Sequence, residues 1–249
     1  MRTQILTAVV LLLSGFGASA EAQGARSLQS LMIGSAGNGS IQIPDAEDGF
    51  DDLQTTMVES FGLRPKPPVI IQMTAEKDAP ILRRISLLMG VMDSTDLLVG
   101  VCRGGWEPDA SVAEFARLIS PASEKITVDY LVHAMQFFPA QNGVLFIIPP
   151  VPQELSASLF QGAEPTVSGG GKYIVVLRFR GQSDYSAVLE SFDDVIAGLS
   201  SVDQADLNKD GEISFSEWLQ ECRRRMEKIF AVQVFKITSG RDLPVKQLR

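Results

Sequence analysis

The side chains best suited to hold a metal ion in this sequence lie within residues 206–217. This stretch matches the twelve-residue calcium loop of an EF-hand position by position. Such a loop takes oxygen ligands from positions 1, 3, 5, 7 and 12, and the seventh position contributes its backbone carbonyl. The five predicted metal ligands are Asp206, Asn208, Asp210, Glu212 and Glu217.

The remaining loop positions agree with this interpretation. Gly211 stands at position 6, where the backbone turns through a conformation that disfavours a residue with a Cβ. Ile213 at position 8 is an apolar plug, and Ser214 at position 9 suits a water-mediated contact. Three carboxylates and one amide suit Ca²⁺ better than Mg²⁺. The predicted cofactor is therefore calcium.

The same residues also allow an interpretation without a metal. Asp, Asn and Gly favour polar turns, and Ser214 followed three residues later by Glu217 forms a capping box at a helix start. An inert turn before a helix is thus the alternative to a calcium site. A second EF-hand loop is not found, since residues 45–49 are acidic but lack the ligand spacing and the terminal glutamate.

The first twenty residues have the features of a secretory signal peptide. Arg2 supplies a positive start, residues 5–13 are apolar, and residues 18–20 form a small-residue cleavage pattern. We expect cleavage after Ala20, with Ala22 as the alternative. No later stretch is long and apolar enough for a membrane span, so we expect an exported protein, periplasmic or secreted, without stable membrane insertion after cleavage.

The charge balance excludes one class of partner. The formal net charge is −8, and removal of Arg2 with the signal peptide makes it −9. A chain this acidic repels nucleic acid and anionic lipid, whereas it favours cations. We therefore expect Ca²⁺ and an unknown protein as partners, and no nucleic acid.

Apolar residues make up 45% of the chain, which is ample for a buried core, and their spacing predicts alternating strands and helices. The predicted strands are residues 31–34, 69–71, 96–101, 143–148, 173–179 and 232–237. The predicted helices are residues 48–61, 78–92, 112–119, 127–137, 185–199 and 215–230. Residues 23–30 are expected to be a flexible lead-in, and the glycines at 169–171 a mobile loop.

This alternation predicts an α/β fold, a three-layer α/β/α sandwich with a mostly parallel central sheet. The mature chain, residues 21–249, is expected to be one domain. The EF-hand helix-loop-helix occupies residues 186–230 near the C-terminus.

The order of these elements resembles that of bacterial caspase-like proteins, the caspase–metacaspase group, over most of the mature chain. The segments that carry the resemblance are residues 31–34, 43–62, 79–89, 205–230 and 233–244. Residues 31–34 are similar to the family's first strand, and residues 43–62 to its opening loop and helix. Residues 79–89 are similar to the helix before the catalytic-histidine strand. Residues 205–230 are similar to its Asp-rich turn with the terminal helix, and residues 233–244 to its closing stretch. The resemblance implies a caspase-like sheet.

The family's chemistry needs a cysteine thiolate beside an imidazole, with backbone donors for the oxyanion. Its histidine motif reads Ser-Gly-His-Gly, and the matching residues here are 102–105, which place Gly104 at the histidine position. Its cysteine motif reads Asp-x-Cys after an apolar strand, and here the corresponding strand runs into Pro149, Pro150 and Val151 without a cysteine. The resemblance therefore implies a degenerate scaffold that has lost both catalytic residues.

One substitute dyad is available, Cys102 with His133, the only histidine. Cys102 is expected at an exposed strand end, whereas His133 is expected to be a partly buried residue of a helix. Cys222 is expected to be a helix residue, although a disulfide with Cys102 stays open because spacing alone does not decide it. Arg223, Arg224 and Arg225 are expected to form a charged helix face, with an acidic-partner patch as the alternative.

The sequence thus predicts an exported EF-hand protein that binds calcium on a catalytically inactive caspase-like scaffold, a structural or protein-interaction module. The alternative function is a divergent caspase-like cysteine peptidase. The predicted protein is not an enzyme.

Overall fold

A computed structural model describes residues 25, 27–35, 50–73, 81–103, 106–108, 116–118, 126–148, 167–180, 185–198 and 202–248. The predicted signal peptide, residues 1–20, lies outside the described residues. So do Gly104, Val151 and the predicted helix starts at residues 48 and 78.

The described chain forms strands and helices at most of the places that the hydrophobic spacing predicts. The strands are β1 (Ser27–Ser35), β2 (Arg64–Pro65), β3 (Val69–Met73), β4 (Asp96–Arg103), β5 (Trp106–Pro108), β6 (Ala116–Leu118), β7 (Ile126–Thr127), β8 (Asn142–Ile148), β9 (Gly171–Phe179), β10 (Glu212–Ser214), β11 (Phe230–Ser239) and β12 (Pro244–Gln247). The helices are α1 (Phe50–Phe61), α2 (Ile81–Val91), α3 (Val128–Phe137), α4 (Tyr185–Gly198) and α5 (Phe215–Met226).

A seven-stranded sheet forms the centre of the fold, in the order β11-β9-β8-β4-β1-β2, with β3 also paired to β1. β2 and β3 pair with successive segments of β1, so they share one edge position. All neighbours in this sheet are parallel except β11, which runs antiparallel to β9. β5, β6 and β7 form a separate small sheet, and β10 pairs with β12.

Helices cover both faces of the central sheet, which explains why β4 and β8 are buried along their whole length. On one face, α1, α4 and α5 pack through residues such as Met57, Phe192 and Trp218. On the other face, α2 and α3 pack through Leu88 and Leu131. The predicted three-layer α/β/α architecture with a mostly parallel sheet is therefore confirmed.

The first strand is longer than predicted, because β1 begins at Ser27 within the expected lead-in. Leu28 is fully buried, and the buried Gln29 amide donates to the Pro67 carbonyl at 3.0 Å. The prediction of a flexible segment is therefore wrong over residues 27–30. These residues contain one apolar side chain among polar ones, which gives no periodic signal.

The predicted helix over residues 112–119 is wrong in its described part. Residues 116–118 form β6, which pairs antiparallel with β5 and β7. Backbone pairing on both sides replaces the intrahelical hydrogen bonds that the spacing suggested. Residues 112–115 lie outside the described part of the chain.

The terminal helix is shorter than predicted, since α5 ends at Met226 and Phe230 already begins β11. The predicted sixth strand is confirmed and extended to Ser239. The helix-loop-helix predicted over residues 186–230 therefore ends in a strand rather than in helix.

Two of the glycines at 169–171 are packed. Gly170 and Gly171 are buried, and Gly171 begins β9, whereas Gly169 is exposed. A Cβ on Gly170 would overlap the Arg241 carbonyl, and the Gly240 N–H donates to the Gly170 carbonyl at 3.1 Å. Glycine is needed here because two backbones approach closely.

Among the described residues, no helix combines the length and apolar character needed to cross a bilayer.

Candidate functional site

The predicted metal ligands lie in one loop between a short 3₁₀ helix, Val202–Ala205, and helix α5. Gly211 has φ +85°, and Lys209 has φ +61°. A left-handed backbone at Gly211 is what the sixth position of an EF-hand loop requires of a glycine. Ile213 is fully buried, as expected for the apolar plug.

Backbone N–H groups of the loop order its acidic side chains. Asp206 accepts from the N–H of Asp210 at 3.2 Å and from that of Gly211 at 3.1 Å. Asn208 Oδ1 accepts from the Asp210 N–H at 2.9 Å, and Asp210 Oδ1 accepts from the Glu212 N–H at 2.8 Å. These contacts bring Asp206, Asn208 and Asp210 together within one turn of the loop.

Glu217 closes the loop from the first turn of α5. The residue is only 7% exposed. Oε1 accepts from the N–H groups of Leu207 and Asn208, each at 3.2 Å, and Oε2 accepts from that of Ser214 at 2.9 Å. Ser214 Oγ in turn accepts from the Glu217 N–H at 3.3 Å, which completes a capping box. The residue thus stands at the twelfth position of the predicted EF-hand loop and is the third residue of a capped helix.

The electrostatics of Glu217 set it apart from the other buried acids. No lysine or arginine of the described chain pairs with it. By contrast, the buried Asp96 pairs with Lys66 at 2.5 Å, and the buried Glu221 pairs with Arg224 and Arg225. The negative charge of Glu217 is therefore balanced only by amide dipoles.

In the described residues, no three or more His, Cys, Asp or Glu side chains are gathered as a ready metal-binding group. Both oxygens of Glu217 are engaged by backbone N–H groups. Two further members of the predicted set, the Asn208 amide and the Glu212 backbone carbonyl, are not side chains of these four types.

The backbone partner of the loop is a strand that sequence analysis missed. β10 within the loop pairs antiparallel with β12, and the Leu248 N–H donates to the Gly211 carbonyl at 2.7 Å. The four residues of β12 are too few for a periodic signal.

The positions that the resemblance assigns to the catalytic residues follow, in sequence, two adjacent parallel strands. β4 ends at Arg103, which pairs with Ile148, the last residue of β8. Gly104 comes directly after β4 and Val151 three residues after β8, and both lie outside the described residues. Arg103 itself is buried and forms an ion pair with Asp193 of α4 at 2.5 Å.

The structure does not bring Cys102 and His133 into the expected dyad environment. Cys102 is fully buried within β4 rather than exposed at a strand end, and burial raises the pKa of its thiol far above the ordinary value of 9.0. His133 is exposed on α3, where its ring contacts Phe137 with centroids 5.5 Å apart, so the expectation of partial burial is wrong.

The two cysteines are free and lie on opposite faces of the sheet. Cys102 packs in the core beneath α2 and α3, whereas Cys222 packs in the core beneath α1 and α4. The sheet between them rules out the disulfide that the sequence left open. Cys222 is a buried helix residue, as predicted.

The three arginines of α5 form ion pairs on their own helix. Arg224 and Arg225 flank Glu221, and Arg223 pairs with Glu227 at 2.6 Å. The side-chain hydrogen bond from Arg224 is the main cause that lowers the pKa of Glu221, against the opposing effect of burial. These contacts favour a charged helix face over a patch for an acidic partner.

No protein-family model matches the chain, and no curated protein matches it in sequence. Solved caspase structures do match its fold. The Drosophila initiator caspase Dronc superposes with a TM-score of 0.51 at 11% identity, over 92% of this chain and 89% of Dronc. Caspase-1 from Spodoptera frugiperda and pro-sf-caspase-1 both give 0.51 at 9% identity, over 92% of this chain and 93% and 94% of theirs. At these identities the likeness establishes a caspase-like fold and nothing finer.

Proposed function

We propose that this protein is an exported, non-catalytic calcium-binding module on a caspase-like scaffold, whose role is structural or in binding another protein. The observation that carries the proposal is the loop of residues 206–217, which has an oxygen donor at every EF-hand ligand position and a left-handed glycine at the sixth. Export rests on the signal-peptide pattern of residues 1–20.

The chemistry of the loop fits Ca²⁺. Every donor is oxygen, and no described lysine or arginine neutralises Asp206, Asp210 or Glu217. A hard cation would supply the missing positive charge to the buried Glu217 carboxylate. To bind the metal, the Glu217 carboxylate must give up its hydrogen bonds from backbone N–H groups. Ser214 Oγ can still accept from the Glu217 N–H, which keeps the helix start capped.

The position of the loop indicates what calcium would stabilise. The loop joins the end of α4, through the 3₁₀ helix, to the start of α5. Both helices pack on the same face of the sheet. A cation that binds only the folded loop stabilises this face by mass action. A lone EF-hand is expected to bind with Kd of roughly 10⁻⁴–10⁻³ M, the range of extracellular modules.

Denaturant unfolding of the mature protein tests this stabilisation. In 10 mM CaCl₂ we expect the free energy of unfolding to rise by about 1.4–2.7 kcal/mol over the value in EDTA, from that range of Kd. Magnesium at the same concentration should give less, because the site lacks the rigid octahedral set that Mg²⁺ prefers. An equal stability in calcium and EDTA would show that the loop is an inert capped turn.

The proposal of a non-catalytic protein rests on the caspase-type positions, where Gly104 replaces histidine and no cysteine stands near Val151. A divergent peptidase would need Cys102 as its nucleophile. Reactive cysteines are exposed and have a lowered pKa, whereas Cys102 is buried and its pKa is raised. The geometry therefore favours the inactive scaffold over the peptidase.

Thiol labelling separates these two functions. With Cys222→Ala, Cys102 becomes the sole thiol, and we expect a maleimide to modify it only as fast as the protein unfolds. After denaturant is added, one thiol per protein molecule should react with the maleimide. Rapid labelling of the native protein, with rates well above those of a small exposed thiol, would instead identify an activated nucleophile.

A further inference from the structure

The C-terminal segment, residues 240–248, is hydrogen-bonded both to the central sheet and to the candidate calcium loop. It follows β11 and crosses the edge where the parallel strands begin, because β1, β8 and β9 all start there. The two sets of contacts alternate along nine residues. This segment therefore links the loop to the sheet edge through hydrogen bonds.

On the sheet side, the segment contacts the beginnings of three strands. The Gly240 N–H donates to the Gly170 carbonyl just before β9, at 3.1 Å. The Asn142 amide at the start of β8 donates to the Arg241 carbonyl at 2.9 Å. The Ala25 N–H, just before β1, donates to the Pro244 carbonyl at 2.9 Å.

On the loop side, the segment holds both the loop and the start of α5. Asp242 accepts from the N–H and the hydroxyl of Ser216, at 3.0 Å and 2.5 Å. The Phe215 N–H donates to the Leu243 carbonyl at 2.9 Å. β12 then pairs with β10, and the Leu248 N–H reaches the Gly211 carbonyl at 2.7 Å.

We propose that residues 240–248 are a coupling strap through which calcium binding in the loop orders the amino-terminal edge of the central sheet. The inference rests on the proposed calcium function and adds its structural consequence. Gly211 lies directly before Glu212, whose carbonyl is a predicted ligand, so the Leu248 hydrogen bond positions the backbone that must meet the cation. The strap takes the place of a second EF-hand as the partner of the loop.

Coupling of this kind is reciprocal. If the strap preorganises the loop for calcium, then calcium must in turn hold the strap against the sheet. Weakening the strap should lower calcium affinity, and adding calcium should protect the strap's contacts from opening. Both directions can be measured on the full mature chain.

The matched variants are Leu248→Pro and Leu248→Ala. Both lose the leucine side chain, which packs partly against the core, but only proline removes the N–H that binds the Gly211 carbonyl. We expect Leu248→Pro to bind Ca²⁺ about threefold to tenfold more weakly than Leu248→Ala, the effect of one hydrogen bond. Equal affinities would overturn the coupling while leaving calcium binding intact.

Amide hydrogen exchange tests the other direction. In wild type, saturating calcium should slow exchange at Ala25, Gly240 and Leu248 at least severalfold, with a smaller effect in Leu248→Pro. Calcium binding without protection at Ala25 and Gly240 would overturn the inference alone. If wild type shows no calcium binding, the proposed function and the calcium-dependent coupling both fall.

Discussion

At the scale of single residues, Glu217 satisfies two structural rules at once. As the third residue of α5 it completes the capping box with Ser214, and as the twelfth loop residue it is the predicted bidentate ligand. Either role alone explains why a glutamate stands there. Its burial without a cationic partner is the feature that the cap does not require, since a capping glutamate functions equally well in water.

Lys172 is a buried basic residue, and it gives a pH-dependent prediction. Its Nζ donates to the carbonyls of Gln136 and Phe138 at 2.9 Å and 2.6 Å, at the end of α3. Burial lowers its pKa from 10.5 to about 8. Between these pH values the unfolded chain binds a proton that the folded chain does not, so this residue makes stability rise with pH.

The measurement is the free energy of unfolding of wild type and Lys172→Met at pH 8 and pH 10. Wild type should gain stability relative to the variant between these values. Both proteins contain the two buried cysteines, whose raised pKa values make stability fall as the pH rises. Their contribution therefore cancels in the comparison. A stability difference that does not move in favour of wild type over this pH range would show that the pKa of Lys172 is not lowered in the folded protein.

At the scale of elements, the backbone of Gly170 lies against the turn after β11, where it approaches Arg241 closely. Gly170→Ala should destabilise the protein by about 1–3 kcal/mol, because its Cβ overlaps the Arg241 carbonyl and the backbone must move. Gly90→Ala in α2 is the control, since no atom lies within 4 Å of the added Cβ.

The control should be neutral or stabilising by up to about 1 kcal/mol, because alanine is the better helix former. Thermal unfolding of both variants provides the measurement. If Gly170→Ala were as stable as wild type, the segment would be free to move away from the turn, as the glycine-rich sequence first suggested.

The elements that sequence analysis located are those with a continuous local signal. β4 and β8 are unbroken apolar runs because both faces of the sheet are covered, and α1 carries regular amphipathic spacing that ends at Gly62. Residues 27–30, 116–118 and 244–247 were missed because their strands depend on pairing with distant segments. Short strands carry too few residues for a period to show.

The same limit applies to the candidate site. All five predicted ligands lie within twelve consecutive residues, so spacing alone could place them in one loop. The environment of Cys102 could not be found in this way, because it depends on how far β4 continues. The strand extends to Arg103 and carries Cys102 into the core, whereas an earlier end at Val101 would have left the thiol at the edge.

At the scale of the whole molecule, the strap and the ends of β4 and β8 lie at opposite edges of the sheet. The strap contacts the beginnings of β1, β8 and β9, whereas β4 and β8 end at Arg103 and Ile148. The candidate calcium loop is thus hydrogen-bonded, through the strap, to the edge away from the strand ends after which the resemblance places the catalytic residues. This separation supports a role for calcium in stability or partner binding.

The measurement that tests the central claim most directly is calorimetric titration of Ca²⁺ into chelator-stripped mature protein. Glu217→Gln is compared with Glu212→Gln, which removes the same charge from a position that contributes only its backbone carbonyl. We expect saturable one-site heat in wild type and Glu212→Gln, and none in Glu217→Gln. No heat in wild type, or equal binding by Glu217→Gln, would contradict the account.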